Sequence, residues 1–215
     1  MRYPAHVVGG ITFGILANYY LLQKTTLMAH SSPSESTMLT ATFISSSVIG
    51  SLFPDIDHPN SFVGKRAKPL SLLLSKTTGH RGATHAPLVI LMLYVILSRL
   101  AIGATEGIQQ SFLLVLIGGF VVGALSHLFL DSLTVGGIPL LYPFTSKHYR
   151  LARLKTGGIG EYLSILAMVA LLVILSPWNN ACNTCAPKAY PNSSISVAMS
   201  EYQHPIIASK DYFLS

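Results

Sequence analysis

The sequence predicts an all-α membrane protein with about five transmembrane helices. Half of its 215 residues are hydrophobic and only 10% are charged, whereas soluble domains carry about 25% charged residues. The apolar residues are also gathered into segments close to the length that crosses a bilayer, with polar loops between them. A chain of this length forms one main domain, which we place at 1–176, followed by a polar C-terminal tail at 177–215.

Five apolar segments account for the predicted helices. They cover residues 6–22, 38–53, 86–100, 111–130 and 160–176. Arg2 before the first segment also fits a signal peptide, but no convincing Ala-x-Ala cleavage site follows it. The first and fourth segments contain glycine pairs at the four-residue spacing that allows close helix packing. The second is rich in serine and threonine, so we expect it to lie inside the bundle.

The net charge of +6 arises mostly from two loops, 54–85 and 131–160. Placing the N-terminus in the cytoplasm puts Arg2 and both loops on one side, which the positive-inside rule favours. Basic residues confined to such loops do not form a nucleic-acid-reading face, so direct nucleic-acid binding is not expected. Within the first loop, residues 70–74 are expected to form a short interfacial helix.

Residues able to bind metal recur at the ends of the apolar segments that this topology places in the cytoplasm. They are His6, Asp55, Asp57, His58, His80, His85, His127, Asp131 and Glu161. His127 and Asp131 are four residues apart and therefore share a helix face. Each residue alone also fits a structural role, such as a buried core histidine or a helix-capping aspartate. Ionisable groups in membrane segments are costly, however, and their recurrence at all five ends indicates one shared site.

Imidazole and carboxylate ligands without thiolate favour zinc, with manganese and iron as alternatives. The candidates outnumber the four ligands of a tetrahedral site, which indicates two or three ions, ligand-orienting partners, or both. Such a cation lowers the pKa of a bound water to about 7. Asp57 and Glu161 are candidate general bases, and Arg81 is a candidate for stabilising anionic charge in the transition state.

Cys182 and Cys185 form a single Cys-x-x-Cys pair in the polar tail. Two cysteines do not complete a zinc site, and a second pair does not exist in this sequence. A local disulfide and two free thiols both remain open interpretations.

Four motifs resemble the YdjM family. They are Pro-Asp-Ile-Asp-His-Pro at 54–59, Gly-His-Arg-Gly-x-Thr-His at 79–85, Ser-His-x-x-x-Asp at 126–131 and Gly-x-Pro-Leu-Leu-x-Pro at 137–143. The family is described as LexA-binding or LexA-regulated metal-dependent hydrolases of the bacterial inner membrane. The resemblance therefore implies that location and activity. It is also the sole reason to expect association with a repressor. A more distant similarity to zinc phospholipases C and P1-type nucleases implies a phosphoester substrate.

We therefore expect a membrane-bound hydrolase that attacks a phosphoester, such as a lipid headgroup, with a metal-activated water. The alternative is a non-enzymatic metal-binding or regulatory inner-membrane protein. Transport is disfavoured because transporter sites lie near the bilayer midplane, whereas the candidate ligands lie at the ends of the segments.

Overall fold

The computed structural model describes residues 1–29, 31–78 and 81–175, and these form helices joined by loops without a β-strand in those ranges. The helices are α1 (Tyr3–Tyr20), α2 (Thr26–Ala29), α3 (Pro33–Leu52), α4 (Lys68–Thr78), α5 (Pro87–Ala104), α6 (Gly107–Ser132) and α7 (Ile159–Leu175). Short 3-10 turns cover Leu22–Lys24, Pro54–Asp57 and Ala83–His85. The prediction of an all-α protein is confirmed.

Four helical stretches of the described chain are long and apolar enough to cross a membrane. They are Tyr3–Lys24, Pro33–Asp57, Pro87–Ala104 and Gly107–Ser132. The fifth predicted segment corresponds to α7, an apolar helix of 17 described residues. At a rise of 1.5 Å per residue, α7 spans about 25 Å, somewhat less than the roughly 30 Å hydrocarbon core. The N-terminal orientation stays a prediction.

The first turn of α3 lies ahead of the predicted segment, which starts at 38. Ser32 and Glu35 form a capping box there: Ser32 Oγ accepts the Glu35 N–H at 3.3 Å, and Glu35 Oε2 accepts the Ser32 N–H at 2.8 Å. Pro33 at the first helical position is also favourable, because its N–H would have no helical partner. The helix therefore begins in polar sequence, where hydrophobicity gives no signal.

Helices α1, α3 and α6 pack against one another, with α5 beside α6 and α7 beside α1. The approach of α3 to α6 depends on glycine, because a Cβ at Gly123 would overlap backbone atoms of Ser47 and Ser51. On the other side of α3, Ser47 Oγ donates to the Gly10 carbonyl at 2.9 Å. The prediction that the serine-rich segment lies inside the bundle is thus confirmed, and the glycine spacing serves the close packing expected of it.

Two loops fold over the end of the bundle where α3 and α6 finish. The loop after α6 returns to that helix, with the Leu151 N–H donating to the Ser132 carbonyl at 2.8 Å. The loop after α3 contains α4, which is longer than the predicted 70–74 helix and packs on the Pro54–Asp57 turn. Most of the candidate ligands lie at this end.

Candidate metal centre

Two groups of histidines and aspartates, buried except for half-buried Asp55, lie where α1, α6 and the turns Pro54–Asp57 and Ala83–His85 meet. One consists of His6, His127 and Asp131, and the other of Asp55, His85 and His127. In each group, one potential ligand atom from every residue lies within 4.8 Å of the others. His127 belongs to both groups. Asp55 is the one member with appreciable solvent exposure, at 21% of its side chain.

Four of these side chains form a ring of alternating nitrogen and oxygen atoms. His85 Nε2 lies 3.9 Å from Asp55 Oδ1 and 3.8 Å from Asp131 Oδ2. His127 Nε2 lies 3.8 Å and 3.9 Å from the same two oxygens. Donor atoms bound to one tetrahedral zinc at about 2.0–2.2 Å lie about 3.3–3.6 Å from one another. The ring therefore has the donor types that suit a divalent cation, and its neighbouring atoms are slightly farther apart than bound ligands would be.

The His85 ring is oriented by Asp57. Its Nδ1 lies 3.0 Å from Asp57 Oδ2, which also accepts hydrogen bonds from Thr84 Oγ1 at 2.5 Å and the Arg81 N–H at 3.0 Å. An ionised carboxylate only accepts, so Nδ1 carries the proton of this pair. The lone pair of Nε2 then points toward the carboxylates of Asp55 and Asp131, as in the carboxylate–histidine pairs of metal sites.

His127 is oriented by a backbone carbonyl. Its Nδ1 donates to the Ser51 oxygen at 2.7 Å, which leaves Nε2 as the nitrogen with a lone pair. Its ring stacks on that of His6, with centroids 3.7 Å apart and planes inclined by 13°. Neither His127 Nε2 nor His6 Nδ1 has a hydrogen-bond partner among the described residues. A buried polar atom in that condition costs about 1–3 kcal/mol, which a bound cation at Nε2 would offset.

Asp131 connects the ring to the start of the chain and to the loop after α6. Its Oδ1 accepts from the Met1 amino group at 2.6 Å and lies 3.5 Å from His6 Nε2. Its Oδ2 pairs with Arg81 Nη2 at 3.0 Å, while Arg81 Nη1 donates to the Gly137 carbonyl at 2.9 Å. Arg81 has a φ of +61°, a conformation unusual for a residue with a side chain. Arg81 therefore positions Asp131 and the loop together.

Glu161 is buried but belongs to neither group. Its Oε1 accepts the Arg2 N–H at 2.6 Å and its Oε2 accepts the Gly157 N–H at 2.5 Å. Glu161 thus joins the start of α1 to the start of α7. Half-buried His58 is likewise outside both groups. His80, Cys182 and Cys185 lie outside the described residues.

The site includes two hydrogen-bond partners, Thr84 and the Ser51 carbonyl, that sequence reasoning missed. Thr84 stands inside the motif that contains His85, and its position beside that histidine was the available signal. The Ser51 carbonyl left no signal, because every residue has one. Only the close packing of α3 on α6 shows that it reaches His127.

Comparison with known proteins finds one matching family model and several similar proteins. A family model described as YdjM inner membrane protein matches residues 1–201. The uncharacterized protein YvsG of Bacillus subtilis is 32% identical over 168 residues, which cover 78% of this chain and 89% of that protein. The inner membrane protein YdjM of Escherichia coli is 39% identical over 102 residues, which cover 46% of this chain and 48% of that protein. The Shigella flexneri protein of the same name gives the same values. No solved structure matches.

Proposed function

The chain belongs to the YdjM family of multi-pass inner membrane proteins, and we propose that it is a metal-dependent hydrolase. The observation that carries this proposal is the ring formed by Asp55, His85, His127 and Asp131. Both imidazoles are held through Nδ1, by Asp57 and by the Ser51 carbonyl, so that both Nε2 atoms face the two carboxylates. Histidines that served only to pack the protein interior would not need both Nε2 atoms to face the same two carboxylates.

The ring residues would hold the cation, and His6 would add a donor from the second group. Imidazole and carboxylate donors favour zinc, while manganese and iron accept the same set. A bound divalent cation supplies Lewis acidity and lowers the pKa of a water to about 7. Asp57 orients His85 from outside the ring, and the Arg81 guanidinium holds Asp131.

Substrate would reach the cluster from the side of Asp55 and Arg81. These side chains are 21% and 17% exposed, whereas the histidines of the two groups are fully buried. A cationic guanidinium beside the entry favours an anionic substrate, and a phosphoester is the class that combines such a charge with metal-assisted hydrolysis. Asp55 is the ring carboxylate nearest solvent and would contact the incoming water.

The proposal is tested with the full-length protein purified in detergent. Bound metal is measured by mass spectrometry, and hydrolysis is measured on phospholipids and soluble phosphodiesters. We expect stoichiometric metal and an activity that chelation removes and added zinc, manganese or iron restores. His127→Ala should abolish both, whereas His148→Ala, at an exposed histidine, should preserve both. Failure to bind any of the three metals would overturn the proposal. Bound metal without hydrolysis would favour the non-enzymatic alternative.

A further inference from the structure

A groove lies on the surface of α6 near the cluster. It has a volume of about 420 Å³ and is formed by α6, the start of α5 and the loop after α6. Sites for small ligands commonly occupy about 300–1,000 Å³. Leu128 and Ser132 line the groove and directly follow His127 and Asp131 in the sequence. The same stretch of α6 therefore contributes to both the groove and the metal centre.

The chemistry of the groove is mostly apolar with one cation. Leu125, Leu128 and Phe129 line it from α6, and Leu140 lines it from the loop. Arg150 is the one charged residue among those that line it, and it is exposed. Nonpolar side chains along a helix that crosses the membrane suit an acyl chain, while a basic residue at its end suits an anionic headgroup.

The charge around the groove favours an anionic occupant over a neutral one. The loop between α6 and α7 also carries Lys147, Arg153 and Lys155 and contains no acidic residue, while Asp131 in the last turn of α6 is buried against Arg81. Loops of this composition attract the negative surface of a bilayer. We propose that the groove binds an anionic phospholipid, with an acyl chain along Phe129 and Leu140 and the headgroup phosphate beside Arg150.

Lipid retention by the full-length protein tests this proposal. The protein is equilibrated in detergent with equal amounts of palmitoyl-oleoyl phosphatidylglycerol and phosphatidylcholine, and retained lipid is measured by native mass spectrometry. We expect one phosphatidylglycerol to be retained in preference to phosphatidylcholine. Leu140→Trp should fill the groove and reduce retention. Leu141→Trp is the matched control, because Leu141 has a similar exposure, 47% against 44%, but does not line the groove.

A second pair of variants tests the headgroup contact. Arg150→Gln should lower the preference for phosphatidylglycerol about fivefold, the effect of one basic residue beside an anionic lipid. Arg153→Gln removes a charge from the same loop but not from the groove, and it should change the preference less. Thermal unfolding of all four variants identifies any that fail to fold. If Leu140→Trp fails to fold, the two arginine variants still test the proposal.

Three results would overturn the proposal. The first is equal retention of both lipids by the unaltered protein, and the second is an equal change in lipid retention or preference within both matched pairs of variants. The third is a lipid-free dimer, which would mean that a second copy covers the groove. Lipid binding is measured without turnover, so it is independent of the hydrolase proposal. Lipid retention without bound metal would contradict only the hydrolase, whereas bound metal without lipid retention would contradict only the groove.

Discussion

His85 Nδ1 and Asp57 Oδ2 lie 3.0 Å apart, and both side chains are fully buried. The carboxylate holds the imidazole in the tautomer whose other nitrogen faces Asp55 and Asp131. On this geometry we propose an orienting role for Asp57, whereas its position in the sequence suggested a direct ligand.

Asp57→Asn should weaken metal binding without abolishing it. The amide keeps the size of the side chain but loses the charge that favours a protonated Nδ1, and loss of such a partner typically lowers metal affinity 10–100-fold. Competition titration with a chelator measures this effect. Glu106→Gln, at the N-cap of α6, provides a carboxylate-to-amide control. An unchanged affinity in Asp57→Asn would mean that Asp57 does not tune the site.

His127→Ala should release all bound metal, because His127 is the residue common to both groups. His6 and His85 each belong to one group, so His6→Ala and His85→Ala should each lower metal content less than His127→Ala does. Metal content by mass spectrometry distinguishes these outcomes, with His148→Ala as the control. Full metal content in both His127→Ala and Asp131→Asn would make His127 a structural histidine of the core.

Gly123→Ala should destabilise the bundle by about 1–3 kcal/mol, the usual cost of overpacking. The added Cβ would overlap backbone atoms of Ser47 and Ser51, which forces α3 away from α6 and lengthens the His127–Ser51 hydrogen bond. A Cβ at Gly103 of α5 meets no atom within 4 Å, so Gly103→Ala should gain about 0.5–1 kcal/mol. Thermal unfolding in detergent compares the two. Similar shifts in both variants would contradict the packing argument.

The sequence predicted where the site lies better than how it is built. Candidate ligands recur at the ends of apolar segments, and alternating spans bring such ends to one side. That reasoning placed His85 and Asp131 near each other, as they are. It could not distinguish a proposed ligand such as Asp55 from a proposed orienting residue such as Asp57, since the two look alike in the motif. The difference depends on side-chain direction in the Pro54–Asp57 turn, which residue types do not encode.

The predicted orientation in the membrane can be tested with single cysteines. In a variant with Cys182 and Cys185 changed to serine, Ser146→Cys in the loop after α6 should react with a membrane-impermeant reagent only after the cells are opened. Glu106→Cys, between α5 and α6, should react from outside in spheroplasts. Both positions are exposed. Labelling of Ser146→Cys from outside would reverse the topology and put the metal centre on the external face.

Glu161→Gln separates anchoring from catalysis. Both Glu161 oxygens accept backbone N–H groups, from Arg2 and from Gly157, whose φ of +79° suits glycine. The amide replaces one acceptor oxygen with a donor that would oppose one of those N–H groups, so we expect a loss of about 1–3 kcal/mol.

If anchoring is its role, Glu161→Gln should increase hydrogen exchange at residues 1–5 while bound metal is retained. Asp131→Asn is the comparison, because Asp131 contacts the same N-terminal segment and also belongs to the ring. That variant should increase exchange and lose metal. Metal loss in Glu161→Gln with unchanged exchange at residues 1–5 would instead make Glu161 part of the metal centre, since its effect could not then pass through the N-terminal segment.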